Sequence, residues 1–181
     1  MANIPNLVAD VERARTEYLD RVRGLSVGQG EFKPSPDEWS AAEITEHLVY
    51  AEEGGILLMW MAADGIRRGR PEWSGAPPHR GLSIESVIEK TWQPKERVPL
   101  AAAPEGDSPI GYWATRLECL RPLLERLGRE LEGLDLETVI YPHPISGPLD
   151  ARQRFEFLRF HLDRHRGQVE RVLRATDFPS S

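Results

Sequence analysis

The chain has 181 residues, of which 40% are hydrophobic and 29% charged, and its net charge of −6 gives a pI near 5.5. This composition is typical of a globular domain, and the acidic balance argues against a nucleic-acid partner, because nucleic-acid binders usually carry a basic surface. The longest apolar run, residues 56–63, is too short to cross a bilayer, and the N-terminus lacks a signal-peptide pattern. We expect a cytoplasmic protein without a membrane partner, folded as one domain over residues 1–181.

Two helices are predicted in the first third of the chain. Apolar residues recur every three or four positions from Leu7 to Leu25, and the glycine-rich stretch 24–30 is expected to end this first helix. Ser40 followed by Glu43 is a capping box, which predicts the start of a second helix. Its inward face is predicted to carry Ile44, His47, Leu48, Ala51, Gly55, Leu58 and Ala62.

A long crossover, Asp64–Gly106, follows the second helix and is rich in proline and glycine. Within it, SIESVIEKTW (residues 83–92) predicts one short helix. Connections of this length inside a small domain are more often functional than idle. The role of this crossover stays open at the level of the sequence.

Two further helices are predicted after the crossover, and no strand alternation competes with them. The third is predicted to begin at Asp107-Ser108-Pro109, with a cap followed by a first-turn proline, and Pro122 inside its apolar stripe is expected to kink it. The fourth begins near Asp150 and runs to about Ala175. Four amphipathic helices with a crossover between the second and third predict an all-α four-helix bundle.

Three histidines fall on the inward faces of these helices. On the fourth helix His165 lies only about 40° around the axis from His161, and His47 lies on the inner face of the second helix. Three inward imidazoles would form a three-nitrogen metal site with an open position, as in catalytic metal centres. Spacing alone equally allows core histidines that are satisfied by hydrogen bonds.

Two segments resemble the DinB-like superfamily of small helical bundles, also described as YfiT-like metal-dependent hydrolases. They are PDEWSAAEITEHLVYAEE (residues 36–53) and HPISGPLDARQRFEFLRFHLDRHRGQVERV (residues 143–172). The resemblance runs from the first helix to about Leu173 and is weakest in the crossover. It implies a bundle of the DinB/YfiT type in which His47, His161 and His165 bind one divalent metal ion.

The resemblance implies a small-molecule substrate and two reaction classes, metal-assisted hydrolysis and transfer of a low-molecular-weight thiol such as bacillithiol or mycothiol. Imidazole ligands suit Zn, Ni, Fe or Co alike, so the metal is not identified. Two non-enzymatic alternatives remain. One is a metal or small-ligand binding module or sensor, and the other is a metal-free interaction protein. Bundles of this kind often dimerise, so a homodimer is a further expectation.

Other side chains near the predicted site allow two interpretations each. Gln168 could orient a metal ligand or be an ordinary buried amide, and Glu43 could support a ligand imidazole or simply cap its helix. Arg154 could meet a substrate carboxylate or extend to the bundle end. His143 could approach the site as a loop contact, although an exposed loop histidine is the main expectation, and His79 is expected to be exposed. The single cysteine, Cys119, lies opposite the apolar stripe of the third helix and is a poor candidate for a nucleophile.

Overall fold

The computed structural model describes residues 3–93 and 98–180 and is mostly helical. A short 3₁₀ turn lies at Leu100–Ala102, and one small antiparallel hairpin precedes the last helix. In the described part of the chain the elements are α1 (Ile4–Val22), α2 (Val27–Glu31), α3 (Ala41–Arg67), α4 (Ile84–Thr91), α5 (Ile110–Cys119), α6 (Arg121–Glu130), β1 (Ile140–His143), β2 (Gly147–Asp150) and α7 (Ala151–Leu173).

The long helices enclose one hydrophobic core. α1 packs along α7, and α3 packs against α5, α6 and α7. Large side chains from each of these helices are buried between them; examples are Tyr18, Leu48, Trp113, Leu124 and Phe155. A smaller cluster of buried apolar residues joins α4 to β2 and α7. None of the helices in residues 3–93 and 98–180 combines the length and the hydropathy that crossing a bilayer requires.

Capping boxes start the two helices that carry the clustered histidines. The Ser40 hydroxyl accepts from the backbone N–H of Glu43, and the Glu43 carboxylate accepts from the backbone N–H of Ser40. Asp150 and Gln153 make the same reciprocal pair at the start of α7. Because each cap contributes about 1 kcal/mol to helix stability, these pairs hold both helix starts in place.

The third predicted helix is divided in two beside Pro122, where only a kink was expected. The chain forms α5 and α6, which meet at Leu120, and Pro122 lies in the first turn of α6. Proline has no backbone N–H, and its ring clashes with the carbonyl group four residues earlier. It is therefore tolerated in the first turn of a helix but not in the interior of one long helix.

Three elements, α2 and the two strands of the hairpin, were not predicted from the sequence. α1 ends at Val22 rather than Leu25, and the glycine-rich stretch after it forms α2, whose start is capped by Ser26. The proline-rich segment before α7 forms the hairpin, in which Pro142 pairs with Pro148. Strands of four residues containing proline show no alternation that a sequence pattern would reveal.

The crossover begins later than predicted, since α3 extends to Arg67. It contains α4, inside the predicted segment 83–92, and the 3₁₀ turn. The Glu46 carboxylate on α3 accepts from the backbone N–H groups of Glu105 and Gly106, at 3.0 and 2.9 Å. This contact fastens the end of the crossover to α3. Residues 94–97 of the crossover lie outside the described residues.

Candidate metal centre

Three histidines from two helices meet inside the protein. His47 lies two turns into α3, and His161 and His165 lie one turn apart on α7. The Nε2 atom of His161 is 3.0 Å from Nε2 of His47 and 3.0 Å from Nε2 of His165. All three side chains are buried, and their ligand atoms lie within 4.8 Å of one another. The structure thus brings together the three residues that the sequence singled out.

A glycine on α3 allows the two helices to approach closely beside this cluster. A Cβ atom at Gly55 would lie 3.3 Å from Cδ2 of Leu158 on α7. That separation is tighter than an ordinary van der Waals contact, so a larger side chain would push the helices apart. The small residue therefore helps to set the distance between His47 and the α7 pair.

Hydrogen bonds to the outer ring nitrogens determine which lone pairs face the centre of the cluster. Nδ1 of His47 donates to the carbonyl oxygen of Ala102 at 2.7 Å, and Nδ1 of His165 donates to Oε1 of Gln168 at 2.8 Å. In the neutral ring the opposite nitrogen, Nε2, is then an acceptor. His161 Nε2 lies 3.0 Å from the Nε2 atoms of both His47 and His165, and each of these contacts would need a proton to be a hydrogen bond. Only His161 could carry a proton on Nε2, and one proton can serve only one of the two contacts. A cation at this point would satisfy all three lone pairs, so the residues present fit a metal ion.

Burial keeps these imidazoles neutral. Loss of solvation lowers the pKa of all three histidines, that of His165 to about 3 and that of His161 well below its usual value. The mutual repulsion of the protonated rings lowers the pKa of His161 and His165 further. Neutral imidazole is the form that binds a metal ion, so the cluster is ready to bind one at neutral pH.

A cavity of about 450 Å³ opens beside the cluster, and all three histidines line it. Its walls are formed by α3, α7, the hairpin and the crossover. Aromatic rings flank the cluster, since Trp39 lies 5.1 Å from the His47 ring and Phe157 stacks 5.3 Å from the His161 ring. The charged residues in the described lining are Asp37, Glu38, Arg154 and Arg164. This volume accommodates a small organic molecule next to the three nitrogen atoms.

The other candidate side chains differ in their relation to the cluster. Gln168 bonds to His165, as described, and lines the cavity. Glu43 caps α3 and pairs with Lys33 at 2.7 Å, and the structure gives it no hydrogen bond to a clustered histidine. Arg154 is buried in the cavity wall, where its Nη2 donates to the carbonyl oxygens of Tyr141 and Pro142.

His143 is not the exposed loop residue that the sequence suggested. It ends β1, is only 8% exposed, and lines the cavity with its ring 4.5 Å from the ring of Phe157. Its Nδ1 accepts from the backbone N–H groups of Ile145 and Ser146. The expectation failed because the hairpin was not foreseen. His79 is also half-buried, with Nε2 2.9 Å from the Ser146 carbonyl oxygen. Cys119 is exposed, as expected.

Two parts of the site were missed in the sequence. The Ala102 carbonyl group that orients His47 is a main-chain atom, so no side-chain pattern marks it. Trp39 stands directly before the Ser40 cap, and its position next to a predicted helix start was the available signal. A residue placed before an N-cap commonly packs back against the first turns of the helix.

The sequence model of the DinB superfamily matches residues 10–169. The chain is 28% identical over 160 residues to the uncharacterized protein YuaE of Bacillus subtilis (strain 168), an alignment that covers 88% of this chain and 92% of YuaE. No solved structure matches the chain significantly. The family match spans most of the chain and includes all three clustered histidines, so the resemblance seen in the two motifs is confirmed. The chain belongs to the DinB superfamily.

Proposed function

We propose that the protein is a metal-dependent enzyme that acts on a small molecule, with one divalent ion (Zn, Ni, Fe or Co) bound by His47, His161 and His165. The observation that carries this proposal is the cavity of about 450 Å³ beside the three converging Nε2 atoms. His47, His161 and His165 would hold the ion through three neutral imidazoles, and the ion would lower the pKa of a water or thiol in the adjoining cavity. Hydrolysis and thiol transfer both use a nucleophile activated in this way.

The surrounding residues hold the ligands in one orientation. Ala102 and Gln168 accept the outer N–H groups of His47 and His165, which keeps each Nε2 directed at the same point. Trp39 and Phe157 pack against the rings of His47 and His161. Removal of such a hydrogen-bond partner of a ligand histidine typically lowers metal affinity by roughly 10- to 100-fold.

Of the two reactions, the cavity lining supports thiol transfer better than hydrolysis. Asp37 and Glu38 are the only carboxylates among the described residues of the lining, and both are exposed. Many metal-dependent hydrolases place a carboxylate beside the ion as a general base. A thiol bound to such an ion would need no such base, because coordination would stabilise the thiolate and the proton would pass to solvent.

The main alternative is a metal or small-ligand sensor without turnover. A structural or sensing site needs no space next to the ion, and it is commonly closed by a fourth protein ligand. Among the described residues, the group of candidate ligand atoms contains the three histidines alone. The adjoining cavity therefore argues against a pure metal sensor, whereas a small-ligand sensor would also use it and is distinguished from an enzyme by turnover.

The proposal also covers the architecture, the oligomeric state and the cellular location of the protein. We interpret α1, α3, the α5–α6 pair and α7 as the four helices of a DinB/YfiT-type bundle that forms a single domain over residues 1–181. A cytoplasmic location and a homodimer remain predictions of the same proposal. Light scattering of the purified protein tests the dimer.

Metal analysis tests the metal site. The protein is purified without a nickel column, loaded with zinc, desalted and analysed for bound metal, beside His47→Ala, His161→Ala and His165→Ala variants. We expect about one ion per chain in the wild type and almost none in each variant. His79→Ala is the control and should keep the ion. Retention of the ion by all three cluster variants would exclude the proposed ligand set.

A substrate screen separates the reactions. The loaded protein is incubated with small thiols paired with electrophiles, and separately with simple esters and amides. Loss of thiol without hydrolysis supports transfer, whereas cleavage of esters or amides supports hydrolysis. If the loaded protein binds these compounds but converts none of them, the sensor alternative gains support.

A further inference from the structure

Arg154 is a buried cation that lines the cavity. The residue is 4% exposed, and its Nη2 donates to the carbonyl oxygens of Pro142 and Tyr141, at 3.0 and 3.3 Å. Nε is buried without an acceptor, and the structure gives Nη1 no hydrogen bond within the described residues. Burial lowers the pKa of Arg154 to about 10, so the guanidinium still carries its charge at neutral pH. The two carbonyl contacts therefore do not neutralise the charge, and they leave the N–H groups of Nε and Nη1 without acceptors among the described residues.

No carboxylate neutralises this charge in the part of the chain that the structure describes. Among the described residues the other buried arginine is Arg15, which shows the usual solution, since it pairs with Glu12 and Glu52. A buried charge without a partner costs several kcal/mol (roughly), so buried arginines are normally paired. Arg154 lacks a pair but faces a cavity, which indicates that its partner is an anion that enters from solution.

A second hydrogen-bond donor lies beside Arg154. Because Nδ1 of His143 accepts two backbone N–H groups, the ring is neutral and carries its proton on Nε2. His143 also lines the cavity, and its Nε2 has no partner among residues 3–93 and 98–180. Arg154 and His143 are neighbours, since the charge of Arg154 contributes to lowering the pKa of His143. Together they present donors on one wall of the cavity.

This wall stands at a defined distance from the histidine cluster. Arg154 precedes His161 by two turns of α7, about 10 Å along the helix axis. The Phe157 ring lies between the rings of His143 and His161, at 4.5 and 5.3 Å from their centres. A small molecule held by Arg154 at one end would therefore reach the metal position with its other end.

We propose that the substrate carries a carboxylate, which binds to the Arg154 guanidinium with His143 as a second donor while the reacting group lies at the three-histidine cluster. The role of this anion as substrate rests on the proposed function; the anion site itself does not. One guanidinium and one neutral N–H match the single charge and two oxygens of a carboxylate. A phosphate would bring a larger charge and more oxygens than these donors satisfy.

Binding to the metal-free full-length chain tests the anion site, because without metal a carboxylate cannot bind as a metal ligand. The probes are 3-phenylpropionate and its uncharged analogue 3-phenylpropanamide, measured by calorimetry. We expect the acid to bind the wild type at least about tenfold more tightly than the amide, as charge-assisted hydrogen bonds exceed neutral ones. The Nε–H signal of Arg154 in an arginine-labelled NMR sample should shift on addition of the acid.

Variants assign the effect to Arg154. Arg154→Gln should lose the preference for the acid over the amide. Arg159→Gln should keep it, because Arg159 lies on the same helix but pairs with Glu85 and Asp163 and does not line the cavity. Arg154→Lys is the second variant if Arg154→Gln does not fold, and it should reduce the preference because it lacks the guanidinium fork.

Three outcomes would overturn the proposal. They are equal affinity of the wild type for acid and amide, an equal loss of preference in Arg159→Gln, and displacement of the acid by inorganic phosphate at comparable concentration. Preference for the acid in a protein that never binds metal would leave the anion site standing and refute the metal-dependent function. Metal binding in a protein without this preference would refute the anion site and leave the metal-dependent function standing.

Discussion

His47 and Ala102 are 55 positions apart in the chain, yet Nδ1 of His47 donates to the Ala102 carbonyl oxygen at 2.7 Å. A candidate metal ligand on α3 is thus oriented by the crossover rather than by its own helix. The crossover is held against α3 by the Glu46 carboxylate, which accepts from the N–H groups of Glu105 and Gly106. The geometry of the candidate metal centre should therefore depend on Glu46, whose carboxylate bonds to the crossover rather than to the cluster.

Replacement of Glu46 by alanine tests this dependence. It removes a buried acceptor of two backbone N–H groups, and we expect a loss of about 1–3 kcal/mol in the free energy of unfolding. Zinc affinity should also fall, since the Ala102 carbonyl group loses its fixed position. Urea denaturation and competition with a chelator measure the two effects. Glu53→Ala, which removes a half-exposed partner of Arg116, is the control and should leave zinc affinity unchanged.

Gln168 offers a more direct test of ligand orientation. Its Oε1 accepts from Nδ1 of His165 at 2.8 Å. Gln168→Leu keeps the size of the side chain but removes the acceptor, and we expect zinc affinity to fall by 10- to 100-fold (roughly). Gln168→Glu keeps an acceptor at the same place and should retain zinc binding. If both variants bind zinc as the wild type does, the hydrogen bond has no part in the metal site.

The helices that carry the histidines were predictable because their signals are local. Capping boxes mark the starts of α3 and α7, and a spacing of four residues places His161 and His165 on one face of a helix wherever that helix packs. The convergence of His47 with this pair is a long-range event, for which the family resemblance supplied the expectation.

The rest of the cavity wall depends on contacts that no residue pattern reports. His143 is buried because a hairpin forms from a proline-rich segment, and Arg154 is held by main-chain carbonyl groups of the same hairpin. Main-chain acceptors exist at every position of the chain, so the sequence does not show which of them a side chain will use. A hydrophobic pattern alone would not reveal the cavity either.

The buried ion pair of Arg15 and Glu52 links α1 to α3 away from the cavity, and it should be important for stability. Glu52→Ala leaves the Arg15 charge buried, with Glu12 as its remaining partner, and we expect a loss of about 3–5 kcal/mol. The double variant Arg15→Met with Glu52→Leu removes both charges and should lose much less. Urea denaturation measures both. Asp10→Ala breaks an exposed pair with Arg13 and should cost less than about 1 kcal/mol. A double variant as unstable as Glu52→Ala would show that the charges themselves are needed.

The metal-free protein should lose stability in mild acid. Burial, together with the charge of Arg154, lowers the pKa of His143 from 6.5 to about 3, so between these values the unfolded chain binds a proton that the folded chain does not. The stabilisation is complete above pH 6.5 and is lost as the pH falls from 6.5 towards 3, at about 1.4 kcal/mol per pH unit. The three clustered histidines act in the same direction.

Urea denaturation at pH values from about 7.5 to about 4.5, a range that spans the ordinary pKa of histidine, measures this slope. His143→Asn keeps an acceptor for the two backbone N–H groups but has no imidazole. Its free energy of unfolding should therefore fall less steeply with decreasing pH, by the slope that corresponds to about one proton, or about 1.4 kcal/mol per pH unit. His79→Asn is the control, because His79 is only half-buried and does not line the cavity. An equal change of slope in both variants would show that burial of His143 in the cavity wall is not the cause.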